Sequence, residues 1–390
     1  MNFLSFFNMK YQLGQYIINI PGWRTKRKIV VFESDDWGSE RTPSKETFDI
    51  LLKNNLRVDL CPYSQFDRLE SETDLKMLFD LLSRFKDQNN RHPVFTANFN
   101  LANPDFVKIK ESDFNKYYYL NLEETIKQKY PDSSNNIEII KNGINDGVFK
   151  PQYHHRDHLS THLWLEQIRN GNKALQIGFN MGVFGLGRIT SPAIQKYHLA
   201  GLFYRNQKER QEVLEANKIG IEFFKNYFGY KPESFIAPVY VWNSEFEKNL
   251  SDNGLKFIQG MWFQTGLKDD AITNKRKKFH YTGERNKYNQ IFTVRNCSFE
   301  PSLVSGINHV DNCMKKIEFA FNHNKPAIIS SHRVNYIGSL HSSNRNSNLR
   351  LLELLLTSII SKFPDVEFMS NDELGNLILN EKNEIFSTED

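Results

Sequence analysis

Two kinds of hydrophobic pattern alternate along the chain. Short apolar runs rich in β-branched and aromatic residues predict strands: RKIVVFES (27–34), PVFTANF (93–99), SFIAPVY (234–240), LKFIQG (255–260), PAIISSH (326–332) and VEFMS (366–370). Between them, apolar positions recur at helical spacing in TDLKMLFDLLSRF (73–85), EVLEANKIGIEFFKNYFG (212–229) and LRLLELLLTSIISKF (349–363). A further helix is expected in SEFEKNLSDNG (244–254), from a Ser244 cap to a Gly254 stop. No solenoid repeat or low-complexity linker breaks the series. Strands alternating with helices predict a parallel α/β fold, either a barrel or a doubly wound sheet.

In both architectures ligands sit beyond the C-terminal ends of the strands. The polar clusters of this chain stand there. KIVVFES runs into DDWG, GVFKPQY (147–153) into HHRDH, SFIAP into VYVWN, and PAIISS into HRVNY. Clusters far apart in sequence can therefore converge at one rim.

Four of the 11 histidines fall within the ten residues 153–162. His154 and His158 are four apart, a spacing that on a helical turn puts both rings on one face, where they can share a metal. His162 continues the spacing beside Leu159, Leu163 and Trp164. A run of helix-surface histidines, one or two of them packed in the core, is the plainer alternative. The adjacent carboxylates Asp35 and Asp36 repel each other unless a positive centre is shared. Asp36 with His154 and His158 would make a two-histidine, one-carboxylate triad with open positions for water and substrate. Asp35 would stand beside it as a base; a capped surface turn is the alternative. His332 ends another strand, as a structural histidine or a general acid. Arg156 and Asp157 either orient the histidines or form a surface ion pair.

Composition narrows the function classes. At 390 residues, 39% apolar and 25% charged, the chain has the make-up of an ordinary globular protein. Fifty basic against 46 acidic residues leave a net charge of +4, and no basic run exceeds RTKRK (24–28) or NKRKK (274–278), so no nucleic-acid partner is expected. Aromatic residues, at 13%, suit a sugar-stacking cleft or a large core. Three cysteines (Cys61, Cys297, Cys313) give neither a disulfide framework nor a CxxC pattern, which points to a reducing, cytoplasmic compartment. The first 23 residues lack a basic leader, a long apolar core and a small-residue cleavage site, so no signal peptide is expected. No stretch approaches the ~18 apolar residues of a membrane span.

Taken in order, these motifs resemble the polysaccharide deacetylase (NodB-homology) family of carbohydrate esterases. ESDDWG (33–38) resembles the family's acidic-pair motif, and HHRDH (154–158) its paired histidines, with His155 where serine or threonine is usual. IAPVY (236–240) resembles the third motif, with Ile236 in the arginine's place. SSH (330–332) matches the late histidine. TVRNCSFEP (293–301), carrying Arg295 and Glu300, stands in for the fourth, acidic motif.

The resemblance implies a distorted (β/α) barrel with about seven parallel strands. One domain is expected over residues 25–385, after an N-terminal extension 1–24, with insertions near 103–147 and 263–290. It implies a divalent metal, zinc above all, on Asp36, His154 and His158, with Asp35 as base. His332 would be the general acid on the side of the metal away from Asp35. Tyr240, Trp242 and Trp37 would form the sugar-facing wall, and a backbone N–H near Tyr240 would help hold an oxyanion. The implied reaction is removal of an N- or O-acetyl group from an acetylated carbohydrate. A non-catalytic carbohydrate-binding or assembly protein on the same scaffold is the main alternative, and a barrel glycosidase a further one.

Overall fold

The computed structural model describes residue 14 and residues 16–268 and 271–387. Residues 1–13, most of the expected N-terminal extension, lie outside the described residues. Thirteen strands follow in chain order: β1 (Lys28–Trp37), β2 (Phe95–Phe99), β3 (Ala102–Pro104), β4 (Tyr119–Asn121), β5 (Phe149–Tyr153), β6 (Ser234–Ile236), β7 (Phe257–Gly260), β8 (Phe263–Lys268), β9 (Ala271–Phe279), β10 (Ile291–Val294), β11 (Cys297–Ser298), β12 (Ala327–His332) and β13 (Val366–Phe368). The main sheet is parallel and ordered β10-β7-β6-β5-β2-β1-β12-β11, with β13 on the lower end of β1.

The two sheet edges are neighbours in sequence. β10 and β11 are one strand interrupted at Arg295 and Asn296. The Arg295 N–H donates to Gly260 O (2.9 Å) at the end of β7, and the Asn296 N–H to Ile328 O (3.1 Å) on β12. One run thus bonds to both edges, and the eight-strand path curls into a distorted (β/α) barrel of seven strand positions. Helices between the strands cover the outside.

Alternation along the strands sorts the side chains. Outward positions such as Val30, Phe32, Phe95, Phe99, Phe149, Phe292 and Ile329 join the largest apolar cluster, beneath the helices. Inward positions change character with height. Ile29, Val31, Phe257, Ile291 and Ile328 form an apolar floor, plugged by Leu374 and Ile378 of the helix Asn371–Ser387. Above it the interior is polar: Glu33, Thr96, Thr293, then Asp35, Asn98, Gln259 and Arg295, all buried.

Local signals place the helices. Ser71 and Asp74 form a reciprocal capping box at the start of helix Glu72–Leu82. Gly229, at φ 81°, ends helix Gln207–Phe228 in the left-handed conformation glycine tolerates best. Two expectations change. The 234–240 strand stops at Ile236, since Pro238 has no N–H to give and Val239 and Tyr240 turn to φ 50° and 57°. The helix expected from Ser244 spans Phe246–Asp252, behind Glu245 and without a side-chain cap. Residues 103–147 carry most of the antiparallel β3–β4 pair and several helices, and residues 263–290 the antiparallel β8–β9 hairpin. No helix among the described residues is long and apolar enough to cross a membrane.

Candidate metal and acid–base site

Adjacent residues on a strand point to opposite faces, so Asp35 and Asp36 could not both reach one rim from a regular β1. A bulge solves this. Ser34 pairs with Ala97 but Trp37 with Phe99, so three steps along β1 match two along β2, and Asp36 takes φ 75°. Such a backbone conformation costs a non-glycine residue of order 1–3 kcal/mol, which the packing around it must offset.

Asp36 meets the two histidines. Its Oδ1 lies 3.5 Å from His154 Nε2 and 3.3 Å from His158 Nε2. One ligand atom from each of the three buried residues falls within 4.8 Å of the others. The expected helical turn is absent: residues 154–160 form an irregular loop with His155 at φ 71°, and the helix begins only at Thr161. The loop, rather than a shared helix face, brings the rings together. His162, on that helix, is half-exposed and pairs with Glu212 at 3.2 Å, apart from the site.

The donor set fits a cation. His154 Nδ1 lies 2.9 Å from Ile236 O, and a carbonyl can only accept, so Nδ1 carries the proton. Nε2 is left facing the Asp36 oxygen, where a cation could be shared between them. Burial, aided by the positive charge of Arg41, pushes His158 down to about 3 despite the pull of Asp36, so its imidazole is neutral. Although burial works against it, Asp36 is held well below the usual carboxylate range by Arg41 and the two histidines. Two imidazoles and one carboxylate are the donor types a catalytic zinc site uses.

Sequence reasoning missed the cations beneath the rim. Arg41 Nη2 lies 3.1 Å from Asp36 Oδ2 and leaves Oδ1 toward the histidines. Arg41 also faces Asp67 (3.7 Å), which Arg333 grips through Nε and Nη2 at 3.1 Å each. Arg333 continues to Glu70 at 2.7 Å and to Ser39 O at 2.8 Å. Arginines scattered at positions 41 and 333 gave no motif to find.

Asp35 stands in a different environment. Arg295 donates to both its oxygens, Nη1 to Oδ2 at 2.6 Å and Nη2 to Oδ1 at 2.7 Å, and Asn98 adds a bond of 2.8 Å. Burial alone would raise its pKa, but Arg295 brings it to about 2. His332 is its neighbour across the β1–β12 register, with Nε2 3.7 Å from Asp35 Oδ2. This corrects the expectation that His332 lies away from Asp35: parallel pairing sets them side by side. His332 Nδ1 bonds Glu300 Oε1 at 2.7 Å. Against burial, Glu300 and the two aspartates raise the imidazole to about 9, so it is protonated at neutral pH. The stretch 293–301 thus supplies two separate partners, Arg295 for Asp35 and Glu300 for His332.

The expected aromatic wall is mostly core. Trp37 is fully buried between Phe99 and Phe149, its Nε1 donating to Ser34 Oγ at 3.0 Å. Trp242 is 1% exposed and stacks on His280. Neither can face a sugar. Tyr240 is half-buried at the site, its hydroxyl accepting from Arg295 Nη1 at 3.2 Å. Its backbone N–H donates to Ala237 O (3.0 Å) and that of Val241 to Pro238 O (3.3 Å), so neither is available to an oxyanion. Arg156 and Asp157 are buried rather than on the surface. They pair at 2.6 Å, with the Tyr117 hydroxyl on Asp157 at 2.8 Å and Arg156 over the Tyr119 ring.

No family model matches the chain. No curated protein matches it either. Solved structures do. A Mycobacterium smegmatis protein described as a polysaccharide deacetylase is 11% identical over 93% of this chain and 94% of its own, with a TM-score of 0.46. A Parabacteroides distasonis protein described as a glycoside hydrolase/deacetylase is 10% identical over 92% of this chain and 72% of its own, at 0.48. Puue allantoinase is 10% identical over 93% and 94%, at 0.43. At such identities and scores these likenesses say nothing about chemistry, which rests on the geometry above.

Proposed function

We propose that the protein is a metal-dependent hydrolase that removes an acetyl group from an N- or O-acetylated sugar or polysaccharide. The observation that carries this reading is the convergence of Asp36, His154 and His158 within 4.8 Å, at the same rim as Asp35 and His332. Held by those three residues, a divalent ion, zinc above all, would polarise the acetyl carbonyl and lower the pKa of a water toward about 7.

The remaining steps belong to the chain itself. Asp35, ionised and gripped by Arg295 and Asn98, orients the attacking water through a hydrogen bond and draws on its proton. His332 Nδ1–H is committed to Glu300, which leaves Nε2–H as the proton for the departing nitrogen or oxygen. The Tyr240 hydroxyl accepts from Arg295 Nη1, the nitrogen that also donates to Asp35 Oδ2, and steadies the guanidinium. The low basicity of Asp35 assigns it more to orientation than to full proton abstraction, while His332 is poised to give a proton at neutral pH.

The test is acetate release from a panel of acetylated chito-oligosaccharides, acetyl-xylan and acetylated monosaccharides, with wild type, Asp35→Asn and His332→Gln. Release by the wild type, with losses of ~10²–10⁴-fold in either variant, supports the assignment. Binding of these sugars with no acetate release would favour the carbohydrate-binding alternative.

A further inference from the structure

We propose that Tyr63 is a catalytic residue of this site: its phenol O–H donates a hydrogen bond to the oxyanion that forms from the acetyl carbonyl oxygen. The proposal deepens the deacetylase reading and rests on it for the reaction.

When water adds to an acetyl carbon, the C=O double bond becomes a C–O⁻ single bond. Charge develops on that oxygen, and a fixed donor aimed at it lowers the barrier. The backbone N–H groups of Tyr240 and Val241 are already engaged, by Ala237 O and Pro238 O. A side chain must therefore supply the donor, and most of those at the rim are engaged too. Arg295 divides its N–H groups between Glu33 and Asp35. Asn98 lies between Asp35 and Gln259. Arg41 Nη2 faces Asp36, and Arg41 Nε, though without a partner, is buried. Ser330 Oγ donates to Glu300 Oε1 at 3.3 Å.

Tyr63 differs. It is half-buried, and among the described residues nothing hydrogen-bonds its hydroxyl. Its ring stands edge-on to the His332 imidazole, with centroids 5.7 Å apart and planes at 81°. The guanidinium carbon of Arg41 lies 5.5 Å from the same ring. Tyr63 thus packs against both the cation that holds Asp36 and the acid beside Asp35, at the rim where the acetyl group has to sit. Burial and the charges of Asp36 and Glu300 hold the phenol well above its usual range despite Arg41, so it gives a hydrogen bond and keeps its proton.

The ring is held from below. Pro62 opens the short helix Pro62–Phe66, and Thr42 pins it, with Oγ1 on Ser64 O at 2.7 Å and N–H on Asp67 O at 3.1 Å. The Asp67 side chain is in turn gripped by Arg333. A donor fixed in this way needs no reorganisation as charge develops. Tyr240 is the other phenol of the rim, but its oxygen accepts from Arg295 Nη1, which ties it to Asp35. As the tetrahedral species collapses, the C=O bond re-forms and the bond to the sugar nitrogen or oxygen breaks. The departing atom takes its proton from His332 Nε2, and Tyr63 ends as it began.

The experiment uses Tyr63→Phe, which keeps the ring contacts with His332 and Arg41 and removes only a hydroxyl that bonds nothing in the fold. In zinc-loaded protein, kcat for acetate release should fall ~10²–10³-fold with KM within about twofold. A second readout needs no turnover. Glucosamine carrying a methylphosphonyl group in place of acetyl presents a tetrahedral, anionic mimic of the intermediate. By calorimetry Tyr63→Phe should bind it at least about tenfold more weakly than wild type, while N-acetylglucosamine binds within about twofold. Either readout at its wild-type value overturns the proposal. Equal weakening of both sugars would make Tyr63 a wall of the cleft and overturn it as well. So would a loss of turnover in Tyr240→Phe with none in Tyr63→Phe, which would give the role to Tyr240. If the wild type releases no acetate, the deacetylase reading fails separately. Affinity for methylphosphonate alone, which needs no sugar recognition, then decides for Tyr63: weaker binding by Tyr63→Phe supports the donor, and equal or undetectable binding by both proteins overturns it.

Discussion

The lower and upper halves of the barrel interior are built from the same strands with the same alternation, and they behave as different materials. The floor, Ile29, Val31, Phe257, Ile291 and Ile328 under Leu374 and Ile378, is apolar. Its stabilisation follows from area removed from water, at roughly 25 cal/mol per Å², and is shared among many contacts. The upper half holds Glu33, Asp35, Asn98, Gln259 and Arg295 in bonds of 2.6–2.9 Å. There each group depends on one or two named partners, and removing one leaves a buried charge uncompensated. The floor fixes the barrel so that the rim can carry groups poorly suited to folding.

Substitutions at the two levels should therefore differ in kind. The largest effect belongs to the rim: Asp36→Ala should abolish metal retention, measured by elemental analysis of the purified protein, and lower acetate release by more than ~10³-fold while circular dichroism stays native. Arg295→Met comes next. It strands Glu33 and Asp35 without their shared cation and should cost about 3–5 kcal/mol in urea unfolding; a loss below 1 kcal/mol would mean that water or protonation already compensates the pair. Ile328→Ala opens a cavity in the floor and should cost about 2–5 kcal/mol with kcat within twofold of wild type. A large loss of turnover there would show that the two halves are not separable.

The smallest effect is a pH dependence. The His332 imidazole is raised from 6.5 to about 9, chiefly by Glu300 against burial. A group raised in the folded state contributes stability fully below its unfolded pKa and loses it as pH climbs through the folded value. The wild-type Tm should therefore decline between about pH 6.5 and 9. Glu300→Gln, which removes the main cause, should flatten that decline; an unchanged slope would detach Glu300 from the His332 proton.

How much of this was legible in the sequence follows the same division. Short apolar runs rich in β-branched and aromatic residues showed β1, β2, β7 and β12, because a strand buried on both faces is apolar along much of its length. The convergence of Asp36, His154 and His158 could be read because each stands at a strand end. The reason they meet could not: the β1 bulge and the left-handed His155 are backbone events with no glycine to announce them. Trp37 and Trp242 were misplaced because an aromatic near a strand end looks the same whether it faces a cleft or the helices. Arg41 and Arg333 are single residues whose partners are fixed only by tertiary contact. Residues 293–301 were recognised as a region, but the separate duties of Arg295 and Glu300 depend on a strand that crosses from one sheet edge to the other.

The most direct test is a titration of zinc into metal-free protein with acetate release as the signal, the metal content being measured at each point. Activity should rise linearly and saturate at one ion per chain in the wild type, and stay at background in Asp36→Ala and His158→Ala. Acetate release that is indifferent to chelation, or a fully loaded wild type that releases no acetate from any acetylated carbohydrate, would contradict metal-dependent deacetylation at this rim.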